Sequence, residues 1–179
     1  MVYQWWYQTP DGFDDMRMNS DGKALTGLWF VGSGDASKHI LGCEERNLPI
    51  FQKTGEWLDI YFSGKNPEFI PEYKINHLTP FRQEVIDIMN MIPFGSTCTY
   101  HDISKRIAEK RGLKRMSSQA VGGAVGWNPI CFVIPCHRVV GSNGSLTGYG
   151  GGIKNKVALL TLEQNDMSQY FVPKKGTAL

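Results

Sequence analysis

Between Tyr3 and Phe30 the apolar positions fall in short runs broken by turn residues. Tyr3 to Tyr7 is aromatic and strand-like. Met16-Arg17-Met18 and the run Ala24 to Phe30 flank Asn19-Ser20-Asp21-Gly22-Lys23, whose Asp-Gly step predicts a β-hairpin. The period then changes. Ile50, Phe51, Thr54, Trp57, Leu58 and Tyr61 recur at helical spacing, which predicts a helix from about Pro49 to Tyr61. Residues 63–78 carry Pro67 and Pro71 and few periodic apolar positions, and read as a linker.

The second half reads as mainly helical. Thr79 is a candidate N-cap with Pro80 at the first helical position, ahead of the stripe Phe81, Val85, Ile88, Met89 and Ile92. Pro93-Phe94-Gly95 ends that helix. Tyr100 to Lys110 predicts a second helix with Ile103, Ile107 and Ala108 inward. A basic connection from Arg111 to Met116 leads to a third, short helix capped by Ser117 or Ser118 and running through Gly126. The apolar run Cys131-Phe132-Val133-Ile134 reads as a buried strand. A glycine-rich loop and a last helix, from about Ile153 to Glu163, follow. The fold class is therefore α+β: a β-rich supporting domain over 1–78, a mainly helical domain over 79–165 containing a helix-turn-helix and the reactive-cysteine strand, and a mobile tail over 166–179.

Composition narrows the setting. A chain of 179 residues with 41% hydrophobic content can bury a core without disulfide staples. The four cysteines, Cys43, Cys98, Cys131 and Cys136, form no CxxC pair, so a reduced intracellular compartment is expected, cytoplasmic or nuclear. The first residues have no signal-peptide pattern, and no apolar run approaches the roughly 18 residues that span a membrane. The net charge is only +2, so any nucleic-acid binding must come from local positive charge. His39 and Cys43 stand four apart, but two ligands do not make a zinc site, and no metal is expected.

The chemistry concentrates at Pro135-Cys136-His137-Arg138-Val139-Val140. A thiolate is the attacking form of cysteine, and a neighbouring base makes it available. A Cys-His pair alone is weak, because most intracellular cysteines are inert core residues. Upstream, two short helices joined by a basic turn fit a helix-turn-helix or a plain helical hairpin. Composition tilts the choice. Ala120, Gly123 and Ala124 cannot read base edges in a major groove, but they suit a helix laid against the shallow minor groove, where contact is mostly with shape and phosphate.

Cys136-His137, Asn128-Pro129 upstream and Gly144-Ser145-Leu146-Thr147-Gly148-Tyr149-Gly150-Gly151-Gly152 downstream together resemble the O6-alkylguanine-DNA alkyltransferases. The resemblance covers roughly half the chain, about Thr79 to Glu163. It implies a single-use repair protein that flips O6-alkylguanine, with O4-alkylthymine as a second lesion, out of duplex DNA. The alkyl group passes to Cys136. His137 is then the base, acting through a water, and Glu163 orients it. Tyr100 presses on the flipped nucleotide, and Asn128 braces the turn between recognition helix and strand or caps the helix. Ser118, Gln119, Ala120, Gly123, Ala124 and Arg115 face DNA. Gln119 stands where the family commonly has Arg, so a charge is missing there; the plainer alternative is a solvated helix residue. Val139, Tyr149, Gly150, Gly151 and Lys156 form the substrate pocket. Gly150 replaces a common Ser, and Lys156 reads either as electrostatic support or as an exposed helix lysine. Arg138 reads as structural, bonding backbone carbonyls. The resemblance implies no cofactor and a monomer. Against it stand a non-catalytic lesion sensor, which would lack Cys136, and a Cys-His hydrolase, which leaves the helix-turn-helix unexplained.

Overall fold

The computed structural model describes residues 1–39 and 43–174, which form two compact units. The first comprises Met1–His77 with Pro129–Val133. The second comprises Leu78–Asn128 and the chain from Ile134 onward.

The first unit is built on a four-stranded sheet in the order β3-β2-β1-β4. Strands β1 (Tyr3–Tyr7), β2 (Met16–Ser20) and β3 (Leu25–Phe30) are antiparallel neighbours, with Trp5 opposite Met18 and Met18 opposite Leu28. The short β4 (Glu44–Glu45) pairs parallel to β1. The Asp21-Gly22 turn forms as expected. The Asp21 carboxylate accepts the Lys23 and Ala24 N–H groups at 3.1 and 3.0 Å, and so closes the loop locally. Helix α1 (Pro49–Phe62) buries Phe51, Trp57, Leu58, Tyr61 and Phe62.

The outer edge of β3 explains two departures from the sequence reading. Unpaired backbone groups on a buried edge are costly. Leu25 donates to Glu72 and accepts from Lys74, both at 2.9 Å, so the expected linker extends the sheet here. Leu28 accepts from Cys131 at 3.0 Å and donates to Pro129 at 2.9 Å. The apolar run Cys131–Ile134 is therefore not a continuous strand. Ile130 bridges to Leu28, and the chain then turns at Phe132, whose φ is 68°. A bulky residue in the left-handed region is held there by packing. The Phe132 ring meets Phe30, Tyr61 and Phe62 edge-on at 5.1, 5.6 and 5.7 Å.

The second unit contains helices α2 (Pro80–Asn90), α3 (Tyr100–Lys110), α4 (Ser118–Gly126) and α5 (Ile153–Leu162), with a parallel pair, β5 (Cys98–Thr99) and β6 (Val139–Val140). Each of the first three helices starts at a hydroxyl cap. Thr79 accepts from Arg82, Ser117 accepts from Ala120, and Thr99 shares a reciprocal capping box with Asp102. Ile103, Ile107, Val121 and Val125 are among the side chains that fill the core beneath α3 and α4. Residues 166–174 lie against the glycine-rich loop. Leu146 donates to Phe171 at 2.9 Å, and Phe171 donates to Gly144 at 3.1 Å. A side chain at Gly144 would collide with the Gln169 carbonyl. The rest of that tail, 175–179, lies outside the described residues. No helix among the described residues is long and apolar enough to cross a membrane.

Candidate functional site

Cys136, His137 and Arg138 form one turn of 3-10 helix immediately before β6, so Cys136 stands at the strand's entrance and not on a strand. All three are buried, Cys136 at 6% exposure. His137 Nε2 lies 2.7 Å from Glu163 Oε1, at the C-terminal cap of α5. Arg138 approaches the same carboxylate with Nε at 2.9 Å from Oε2 and Nη2 at 3.0 Å from Oε1. Its Nη1 donates to the Ile92 carbonyl at 2.8 Å. The Gly95 N–H adds a donor to Glu163 at 3.2 Å.

These donors favour the ionised carboxylate. Burial alone would raise the Glu163 pKa, but hydrogen bonds and positive charge from His137 and Arg138 override it and hold the carboxyl down at about 2. Burial depresses the pKa of His137, and the Arg138 and Lys156 charges act in the same direction. Glu163 opposes them. The net pull is toward the neutral imidazole, the form that accepts a proton.

Lys156 is fully buried. Its Nζ donates to the carbonyls of Val139 (2.6 Å) and Thr147 (3.1 Å), tying β6 to the loop. Burial brings its pKa down to about 8, partly offset by negative charge at Cys136. The Tyr100 hydroxyl faces the loop carbonyls of Thr147 and Gly148 at 3.2 and 3.3 Å. Burial, then charge at Cys136, raises the Tyr100 pKa. Gly148 has φ +68°, and a Cβ there would lie 3.1 Å from the Tyr100 hydroxyl, so the loop needs glycine at this position. Tyr149 is buried with its ring 5.9 Å from Lys156 Nζ, Val139 is buried, and the Gly151 carbonyl accepts from Asn155 at 2.8 Å. Gly150 is partly exposed. Asn128 lies just past the Trp127 cap of α4 and donates to the Ile134 carbonyl at 2.9 Å, bracing the way to Cys136.

Beside this cluster a cleft of about 380 Å³ opens between α3, α4 and the loop, with Tyr100, Gln119, Gly122, Thr147 and Gly148 among its walls. Cys136 does not line it. On α4, Gln119, Ala120 and Gly123 are exposed, and Arg115 is exposed in the preceding turn. Ala124, expected on the same outer face, is only 6% exposed and belongs to the core. Ser118 is half-buried, with its hydroxyl 3.2 Å from that of Ser104 on α3.

Cys98 and Cys131 differ from Cys136. Burial pushes the Cys98 thiol up, and Cys131 is fully buried with its sulfur 3.3 Å from Asp35. Among the described residues no three His, Cys, Asp or Glu side chains gather as a metal site. The sequence reading missed that Arg138 engages Glu163. It also left Lys156 open, although Lys156, Leu159, Leu160 and Glu163 share one helical stripe that places the lysine inward.

Residues 80–165 match the family model for the DNA-binding domain of 6-O-methylguanine DNA methyltransferase. A methylated-DNA–protein-cysteine methyltransferase of Haemophilus influenzae is 34% identical over 163 residues, covering 91% of this chain and 87% of that protein. The protein of the same name from Mycobacterium tuberculosis is 42% identical over 115 residues, 64% of this chain and 66% of its own length. The chain thus spans about two thirds of the latter. The crystal structure of Mycobacterium tuberculosis OGT in complex with DNA superimposes with a TM-score of 0.76 at 32% identity, covering 94% of each chain.

Proposed function

The chain belongs to the methylated-DNA–protein-cysteine methyltransferase family, and we propose that it repairs duplex DNA by moving an alkyl group from O6 of guanine irreversibly onto Cys136. The observation that carries this reading is Cys136 followed by a buried His137 whose ring is held 2.7 Å from Glu163. The helix-turn-helix beside it supplies a reason for duplex DNA to be the partner.

In this account the exposed face of α4, with Gln119, Ala120 and Gly123, lies along the minor groove, and Arg115 meets phosphate. The damaged nucleotide swings out at a cost of a few kcal/mol and enters the cleft beside Tyr100. The thiol proton passes through a water to His137. The sulfur lone pair attacks the alkyl carbon, an S–C bond forms as the C–O6 bond breaks, and the bonding pair remains on guanine. Guanine takes up one proton, which balances the one lost by the thiol. Tyr100 and Lys156 face the developing charge. The thioether has no route back to the thiol, so each molecule acts once, as a monomer and without a cofactor, in the compartment that holds the DNA.

Intact mass after incubation with an O6-methylguanine duplex tests this reading. A gain of one methyl in wild type and none in Cys136→Ser is expected. Tight binding with no mass gain would indicate a lesion sensor instead. No gain and no lesion preference would remove the repair reading.

A further inference from the structure

A groove of about 340 Å³ runs along β1 and α1, wholly within the first unit, with Trp5, Tyr7, Phe51, Gly55, Glu56 and Asp59 among its walls. Strand β1 shows what its aromatic rings accept. The Arg17 guanidinium lies 3.9 Å from the centre of the Trp6 ring, and that of Arg46 lies 4.9 Å from the centre of the Tyr3 ring. Trp5 and Tyr7, the β1 rings between and beyond them, carry no such cation among the described residues. Two carboxylates stand beside these rings, and no lysine or arginine is among the groove's walls. Asp59 accepts the Tyr7 hydroxyl at 2.8 Å through Oδ1, and its second oxygen has no partner among the described residues. Glu56 meets Lys53 at 2.9 Å, but both side chains are more than half exposed, where such a pair is worth little.

Gly55 adds a different observation. A glycine inside a helix weakens it. Nothing packs against this one: a Cβ there would meet no atom within 4 Å. The glycine therefore serves no close approach within the fold, and its effect is to keep the groove open.

We propose that the β1–α1 groove is a docking site for an arginine-bearing basic segment of a partner protein, with the guanidinium against the Trp5 and Tyr7 rings and within reach of the Asp59 carboxylate. Arginine fits better than lysine, because its planar group stacks on aromatic faces and forks onto a carboxylate at once. The carboxylates exclude nucleic acid, whose phosphates they repel. Asn47 and Gln52, also in the walls, carry side-chain amides that can bond the backbone of an extended peptide. The inference stands apart from the alkyl-transfer reading of Cys136.

The test is fluorescence anisotropy of the full chain with a fluorescein-labelled hexapeptide alternating arginine and glycine, and with its lysine and glutamate counterparts. The arginine peptide should bind severalfold more tightly than the lysine peptide, and the glutamate peptide should not bind. Gly55→Gln should weaken arginine-peptide binding about tenfold or more by filling the groove, with a melting temperature at or above wild type because glutamine is the better helix former. Asp59→Asn, which keeps an acceptor for Tyr7, should cost about fivefold. Asp87→Asn, the same charge removed from α2 in the other unit, should stay within about twofold. The proposal is overturned by an arginine peptide that does not bind at about 1 mM, or by Asp87→Asn and Asp59→Asn weakening it alike, the mark of unspecific attraction. Arginine amide binding as tightly as the peptide would also overturn it, in favour of a small-cation site. Should Gly55→Gln not fold, the contrast between Asp59→Asn and Asp87→Asn decides.

Discussion

The outer face of α4 and the turn that carries Cys136 solve opposite problems with opposite residues. The α4 face is small, exposed and chemically plain: Ala120 and Gly123 offer backbone and little else, and a Cβ at Gly123 would meet nothing within 4 Å. The Cys136 turn is buried and densely bonded, with Glu163 alone engaged by His137, Arg138 and Gly95. A surface that must accept any sequence gains by having few groups that discriminate. A site that must move one proton and one alkyl group gains by having every polar group fixed. Affinity and chemistry should therefore separate under mutation.

The largest separation is expected at Cys136. Cys136→Ser should abolish methyl transfer while leaving lesion-duplex affinity within about threefold of wild type, measured by mass and by fluorescence anisotropy. Glu163→Gln should slow single-turnover transfer by about 100-fold or more, in the range of lost acid–base assistance, again with duplex affinity retained.

The same carboxylate makes a pH prediction. Its pKa of about 2 in the folded chain lies below the unfolded value of about 4.3. The stability it contributes is therefore present above the unfolded pKa and lost as pH falls from about 4.3 toward 2. Thermal melts of wild type should fall steeply through that window, and those of Glu163→Gln should fall less. Lys156 has a slope of the same sign in a higher pH window. Its folded pKa of about 8 lies below the usual lysine value, so its contribution to stability should rise as pH climbs from 8 toward 10. Lys156→Met should flatten that rise.

The α4 face should show the converse. Gly123→Glu is expected to weaken duplex binding by about tenfold or more through repulsion of phosphate, while its transfer rate with the free base O6-benzylguanine stays near wild type. The smallest effect is expected for Gln119→Arg, a severalfold gain in duplex affinity from one added cation. If either variant altered free-base reactivity as much as duplex binding, the two regions would not be separable.

Much of this was legible before any coordinates. Thr79 and Ser117 announce helix starts because a hydroxyl followed by helix formers has a local mechanism. That His137 and Glu163 should meet was implied by the family resemblance, and they lie 2.7 Å apart. What stayed hidden depended on partners distant in sequence. Nothing local says that Ile130 and Cys131 serve the β3 edge and that Phe132 must then turn left-handed to reach an aromatic cluster. Likewise, Tyr170 and Phe171 look dispensable until Thr97 and Leu146 receive them. Ala124 was misjudged because small size fits a groove-facing helix and a tight helix crossing equally well, and only the packing separates the two.

The central claim is that the alkyl group ends on Cys136 and stays there. Peptide mapping after incubation with a graded excess of O6-methylguanine duplex tests it most directly. The account predicts one methyl on the peptide containing Cys136, reaching one equivalent per chain and going no further, with one guanine restored for each. A methyl on Cys98 or Cys131, or continued repair by a chain already methylated, would contradict it.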